Sequence, residues 1–131
     1  MLVEIVLVIL IVGGYFAYQH YKEKKEFEEY TREYNLTLEE LAKYNGVANK
    51  RVFVCVKGDI FDVSSAPFYT PGGSYHVFAG TEATTSLAKG DLDGKFLNTP
   101  NQELNEEEQY SADDWHQRFL EKYRKVGKLR H

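Results

Sequence analysis

The residues of this chain best suited to chemistry are mostly phenols. Ten tyrosines and eight phenylalanines in 131 residues are more than a small core needs, and such a surplus suits contact with a planar ligand. Several gather in Phe68-Tyr69-Thr70-Pro71-Gly72-Gly73-Ser74-Tyr75-His76-Val77-Phe78-Ala79-Gly80, around one sharp Pro-Gly-Gly turn. Imidazole is the commoner metal ligand, which makes His76 a candidate by residue type. Its neighbour Tyr75 reads, by type alone, as a half-buried aromatic packing at a helix start. Neighbours at a helix start diverge by ~100°, so only one of the two can face a ligand. His20, His116 and His131 have no metal-ligand spacing with each other or with the single cysteine. That cysteine, Cys55, lies in the apolar run Val52 to Val56 and reads as a small core residue; no internal disulfide can form. No Ser/His/Asp, Cys/His or paired-carboxylate arrangement supports an independent enzyme.

These side chains have to be positioned by one small domain. Leu2 to Val12 is apolar except for Glu4, and Gly13 to Tyr18 carries the run onward. Seventeen such residues reach about 25 Å as a helix, near the lower limit for spanning a bilayer and better matched to a thin membrane. No Lys or Arg precedes the run and no small-residue cleavage site follows it, which argues for an anchor over a cleaved signal. Tyr15, Phe16, Tyr18 and Tyr21 read as an interfacial aromatic belt, and Lys22, Lys24 and Lys25 put the C-terminal side in the cytosol by the positive-inside rule. The expected organisation is therefore an anchor over 1–20, with residues 2–18 in the membrane. A charged helical spacer over 21–35 follows, and then a domain over 36–131. Net charge is -4 with no basic excess, so composition gives no case for nucleic acid.

Within the domain, Thr37-Leu38-Glu39-Glu40 is a capping box opening a short helix that Gly46 stops. It also accounts for the sequon Asn35-Leu36-Thr37 without glycosylation. Val52 to Val56 and Ile60 to Val63 flank Lys57-Gly58-Asp59 as a hairpin. Val77, Phe78, Ala83 and Leu87 predict helix across Tyr75 to Leu87. Residues 89 to 101 form a polar connection. Ser111 is the expected cap of a last helix whose stripe is Trp115, Phe119 and Tyr123, with Gly127 ending it. The sum is a small α+β domain.

Three segments are more specific than that: Leu38 to Gly46, Val54 to Val63, and Phe68 to Gly80 followed by Glu82-Ala83-Thr84, with Val126-Gly127-Lys128-Leu129 near the end. Together they resemble the membrane-associated progesterone receptor family, a branch of the cytochrome b5-like haem-binding proteins, across residues 36 to 129. The resemblance implies a cytochrome b5-like fold binding haem b (iron protoporphyrin IX) and makes Tyr75 the proximal iron ligand, with Tyr69, Lys122 and Tyr123 lining the pocket. A phenolate is a hard anionic donor that favours ferric iron and lowers its potential. Ordinary cytochrome b5 has His where Thr70 precedes Pro71-Gly72-Gly73, and no His lies between His76 and His116, so bis-histidine ligation of that type is excluded. Ser74 stands where the family usually has Pro, Thr81-Glu82 replaces the usual Arg-Asp, and the 89–101 connection departs most.

The role implied by the resemblance is a non-catalytic adaptor at the cytosolic face of the endoplasmic reticulum, supporting haem-thiolate monooxygenases of sterol metabolism or handling haem. An electron carrier of cytochrome b5 type is the first alternative, disfavoured by the low potential of a tyrosinate haem. A haem-free module binding a sterol or a protein is the second; no residue specifies a steroid pocket. A homodimer stacked through an open haem face is compatible with the sequence but not indicated by it.

Overall fold

The computed structural model describes residues 1–131, the side chain of Tyr30 excepted. Two compact units emerge, Met1–Arg32 and Glu33–His131. The first is one helix, α1 (Leu2–Thr31), whose apolar part is long enough to cross a membrane by length and composition. At ~1.5 Å per residue its 30 residues reach about 45 Å, more than the ~30 Å of a hydrocarbon core, so the charged stretch after the lysines continues the same helix. The expected spacer over 21–35 needs correcting at its end. Arg32 is extended, Tyr34 is buried, and the Tyr34 amide donates to the Val126 carbonyl at 2.7 Å, so residues 33–35 belong to the domain.

The second unit is mixed helix and sheet. A capping box opens α2 (Leu38–Leu41): the Thr37 hydroxyl accepts from the Glu40 amide, and Glu40 Oε1 accepts from the Thr37 amide, both at 3.2 Å. Asn35 Oδ1 accepts from the Lys128 amide at 3.0 Å, so the sequon asparagine serves the fold as well. Strands β1 (Phe53–Val56) and β2 (Asp59–Asp62) form the expected antiparallel hairpin. With β3 (Thr81–Glu82), parallel to β1, and β4 (Arg124–Lys128), antiparallel to β2, they make a sheet ordered β3-β1-β2-β4.

Every residue of β1 is buried because both sheet faces are covered. Val52, Val54, Val56 and Phe61 enter one core with Tyr69, Phe78, Leu87 and Phe119; Phe53, Cys55 and Ile60 enter the other with Tyr34, Leu41 and Val126. Alternation along the strand makes this division. Burial pushes the Cys55 thiol up to about 12, which leaves it a core residue rather than a nucleophile.

Three sequence expectations give way in the structure. The stretch from Tyr75 to Leu87 is not one helix. It runs as a 3-10 turn (His76–Phe78), then β3, then α3 (Thr84–Lys89). The Gly80 and Ala83 amides donate to the Phe53 and Cys55 carbonyls, so pairing with β1 overrides local periodicity. Helix α4 (Glu106–Lys122) begins earlier than Ser111, at an Asn105/Glu108 capping box. It also ends before Gly127, which sits in β4. A Cβ there would come within 1.9 Å of the Tyr34 carbonyl oxygen, so only glycine lets β4 meet the segment before α2.

Candidate functional site

The site begins with how the chain turns after β2. The Gly73 amide donates to Thr70, and the Tyr75 amide to Phe68 at 2.7 Å, folding Pro71-Gly72-Gly73 back onto the preceding residues. A Cβ at Gly73 would lie 2.2 Å from the Pro67 carbonyl oxygen and 2.4 Å from that of Phe68. The absent side chain is what allows this close return, and the return sets Tyr75 at the head of the 3-10 turn. The expected rival is committed elsewhere: His76 Nε2 donates to the Asn45 carbonyl at 2.8 Å. His116 is likewise engaged, its Nε2 2.7 Å from Asp59 Oδ2. Among the described residues no group of three His, Cys, Asp or Glu side chains is arranged to hold a metal ion.

Tyr75 is half-buried among rings. Its centroid lies 5.9 Å from Tyr69, 6.0 Å from Phe78 and 6.1 Å from Phe68. Tyr69 continues the cluster to Tyr123 (6.1 Å) and Phe119 (5.9 Å), and Phe119 to Trp115 (6.4 Å). Residues separated in sequence by more than a third of the chain thus meet because α4 packs its Trp115/Phe119/Tyr123 stripe on the core that carries the Pro-Gly-Gly turn. Lys122 is exposed at the end of α4, its Nζ 5.9 Å from the Tyr123 ring centroid, so it stands at the edge of the cluster.

Among the described residues, no protein group hydrogen-bonds the hydroxyls of Tyr69, Tyr75 or Tyr123. Tyr69 is only 3% exposed, yet its hydroxyl is not among the fully enclosed polar atoms that lack a partner, so the ring is buried while the oxygen keeps access to open space. Burial raises the Tyr69 phenol well above its usual range, and charge on Tyr123 or Tyr75 would raise it further. Burial raises Tyr123 as well.

Beside Tyr75 opens a cleft of about 150 Å³ walled by Phe78, Leu87, Gly90, Leu92 and Trp115, with Ser86 among its lining. Ser86 is fully buried, and its Oγ has no hydrogen-bond partner among the described residues. Sequence reasoning missed it; the only signal was a serine inside an otherwise apolar helical face. Tyr75 alone of the four expected site residues walls this cleft; Tyr69 and Tyr123 join it through the ring cluster. The 89–101 connection is tied down rather than loose. Asp91 accepts from the Asp93 and Lys95 amides, Asn98 bonds the Glu82 backbone in both directions at 2.9 Å, and the Thr99 carbonyl accepts from Thr85. In chemical terms the arrangement offers phenol oxygens, one buried hydroxyl and apolar walls, a set suited to binding.

Comparison with known proteins agrees with the geometry. Residues 37–130 match the family model described as "Cytochrome b5-like Heme/Steroid binding domain". The chain is 39% identical over 98 residues to the "Cytochrome P450 regulator dap1" of Schizosaccharomyces pombe, covering 69% of this chain and 59% of that protein. It is 37% identical over 99 residues to the human "Membrane-associated progesterone receptor component 2", covering 72% and 44%. Each alignment thus spans about half of the relative's length. A solved Arabidopsis thaliana protein described as having a cytochrome b5 like fold superposes with a TM-score of 0.66 at 36% identity, over 73% of this chain and 90% of its own. The chain belongs to the cytochrome b5-like haem/steroid-binding domain family, in its membrane-associated progesterone receptor branch.

Proposed function

We propose that this domain binds haem b through the phenolate of Tyr75 and acts without catalysis of its own, as an anchored regulator of haem-thiolate monooxygenases. One observation carries the reading: the rings of Tyr75 and Tyr123 both pack against Tyr69, and among the described residues no protein group bonds any of the three hydroxyls. The donor set fits the group. A phenolate is a hard ligand for ferric iron, and bound haem would supply a Lewis-acidic iron that itself favours deprotonation of the phenol. Tyr69 and Tyr123, held neutral by burial, remain hydrogen-bond donors toward a charged oxygen on Tyr75 or a haem carboxylate. Lys122, at the cluster's edge, offers an ammonium for a carboxylate. The 150 Å³ cleft is below the ~300–1,000 Å³ of enclosing ligand pockets, so a macrocycle at Tyr75 stays partly exposed.

The fission yeast relative's name supports the monooxygenase partner, and the lysines after the apolar run support a cytosolic domain at the endoplasmic reticulum. A low-potential tyrosinate iron makes an electron-carrier role unfavourable. A second reading rests on Ser86. An apolar cleft with one buried, unbonded hydroxyl also suits a slim apolar molecule with a single polar end, and some relatives are named steroid-binding proteins.

The test uses the full chain in zwitterionic detergent micelles with added hemin, recording ferric and dithionite-reduced spectra. The expected result is a high-spin, tyrosinate-like ferric spectrum that Tyr75→Phe abolishes and His76→Ala preserves. A low-spin bis-histidine spectrum would overturn it in favour of electron transfer, and absence of bound haem would leave the Ser86 cleft reading.

A further inference from the structure

A second cavity, of about 420 Å³, is lined by Lys57, Glu82, Thr84, Pro100, Leu104 and Ala112, among others, and shares no lining residue with the cleft at Tyr75. Glu82 contributes a fully buried carboxyl, and its two oxygens differ sharply. Oε1 accepts from the Thr84 amide at 2.8 Å and from the Thr84 hydroxyl, which in turn accepts from the Lys57 amide at 2.7 Å. Oε2 has no hydrogen-bond partner among the described residues. A buried carboxylate oxygen left without a donor is costly, and a cavity this large holds far more than the one water that would satisfy it.

Charge around the cavity favours a cation. The Lys57 ammonium at the rim is already paired with Asp113, which leaves Glu82 as the acidic side chain of the lining with no cationic partner among the described residues. Glu103, Glu106 and Glu107, in the segment that follows Pro100 and brings Leu104 to the wall, are exposed and carry no ion pair among the described residues. Pro100, Leu104 and Ala112 supply an apolar wall of the kind along which aliphatic stems lie while their charged heads reach a polar group. With only one free oxygen on Glu82, a two-pronged guanidinium cannot be met fork to fork, whereas a compact ammonium needs one strong contact.

We propose that this cavity binds a primary alkylammonium group, from a small aliphatic amine or a lysine side chain of a partner protein, with its head on Oε2 of Glu82 and its stem against Pro100, Leu104 and Ala112. Burial raises the Glu82 carboxyl above the ordinary carboxylate range, a desolvation cost that such a partner offsets.

The test is a titration of the ¹⁵N-labelled full chain in zwitterionic micelles with n-butylamine hydrochloride at constant ionic strength and neutral pH. Saturable shifts of the Gly58, Thr84 and Ala112 amides are expected, with a Kd on the order of 1 mM. Glu82→Gln should weaken this at least about tenfold, and n-butanol and n-butylguanidinium should bind correspondingly less tightly. Non-saturating shifts, equal binding by the variant, or n-butanol binding as tightly as the amine would each overturn the proposal. Should the variant not fold, Leu104→Lys serves instead, because Leu104 is half-exposed and a lysine there fills the cavity in cis. Unchanged butylamine binding by that variant would also overturn it. A Nα-acetyl-lysine methylamide arm distinguishes the sources. Binding at least as tight as butylamine points to a protein lysine, and exclusion of the backbone-bearing probe points to a small amine.

Discussion

Ser86→Ala should stabilise the haem-free protein, against the usual direction of a buried substitution. The Ser86 hydroxyl is fully buried in α3 and bonds nothing, so the folded state has desolvated it without compensation. Such a group costs about 1–3 kcal/mol, and the low end of that range is enough here. Alanine adds roughly 0.5 kcal/mol of helix propensity over serine. The volume removed is one oxygen beside existing space, so no new cavity of consequence opens. A gain of about 1.5 kcal/mol follows, and for a domain of this size each kcal/mol moves Tm by ~4–8 °C, giving a rise of at least about 6 °C. Circular dichroism melts of the full chain in zwitterionic micelles, without hemin, measure it. An unchanged or lowered Tm would refute the reasoning, because it would mean that Oγ is bonded, to backbone or to water, and that the cleft is wet. Stability given up at one buried atom next to Tyr75 is the pattern expected where a ligand completes the site.

Further outcomes follow from the same geometry. Gly73→Ala must push a methyl group into the Pro67 and Phe68 carbonyls, so the turn shifts; a loss of more than about 2 kcal/mol in urea unfolding and weakened hemin binding are expected together. His76→Ala removes the bond to Asn45 and should cost about 1 kcal/mol in the same assay while leaving the ferric haem spectrum in place, since that ring is turned to a carbonyl. Two opposing pH effects are expected in chemical denaturation. Burial alone would raise the Asp62 carboxyl, but the hydrogen bonds from Ser64 and the Arg51 pair outweigh it and hold the group below the usual range. Its contribution is therefore intact above the unfolded value near 4 and is lost as pH falls through the lower folded value. Glu82 is raised by burial, so the native state holds its proton longer, and stability declines as pH rises from about 4 through the folded value. Glu82→Gln should remove that decline and leave the acid limb. Persistence of the decline in the variant would assign it to another group.

Local rules revealed what local physics decides. Thr37 with Glu40 marked a helix start because both bonds of a capping box lie within four residues. Lys57-Gly58 marked a hairpin because the turn alone sets the register. By contrast, Arg124-Lys125-Val126-Gly127-Lys128 carries little strand character; it becomes β4 only because β2 and Tyr34 offer it hydrogen bonds. The Val77/Phe78/Ala83/Leu87 spacing looked helical, yet the carbonyls of β1 compete for the same amides and win. At the site, Tyr69 and Tyr75 were marked by the resemblance of the Phe68 to Gly80 segment, not by residue type or spacing alone. Their meeting with Tyr123 required the packing of α4, and Ser86 required knowing which face of α3 looks into the cleft.

The stitching of β4 to the start of the domain also sets an order of events in the cell. Tyr34, Asn35 and Leu36 hold Val126, Lys128 and Arg130 through backbone and side-chain bonds, so the sheet's last edge waits on partners far along the chain, Asn35 meeting Lys128 across 93 positions of sequence. While the ribosome is still working, the apolar helix α1 has long since emerged, whereas the second core lacks Val126. Emergence of the apolar helix therefore runs ahead of completion of the domain, and a chain interrupted before Val126 would carry that helix with an unfinished sheet.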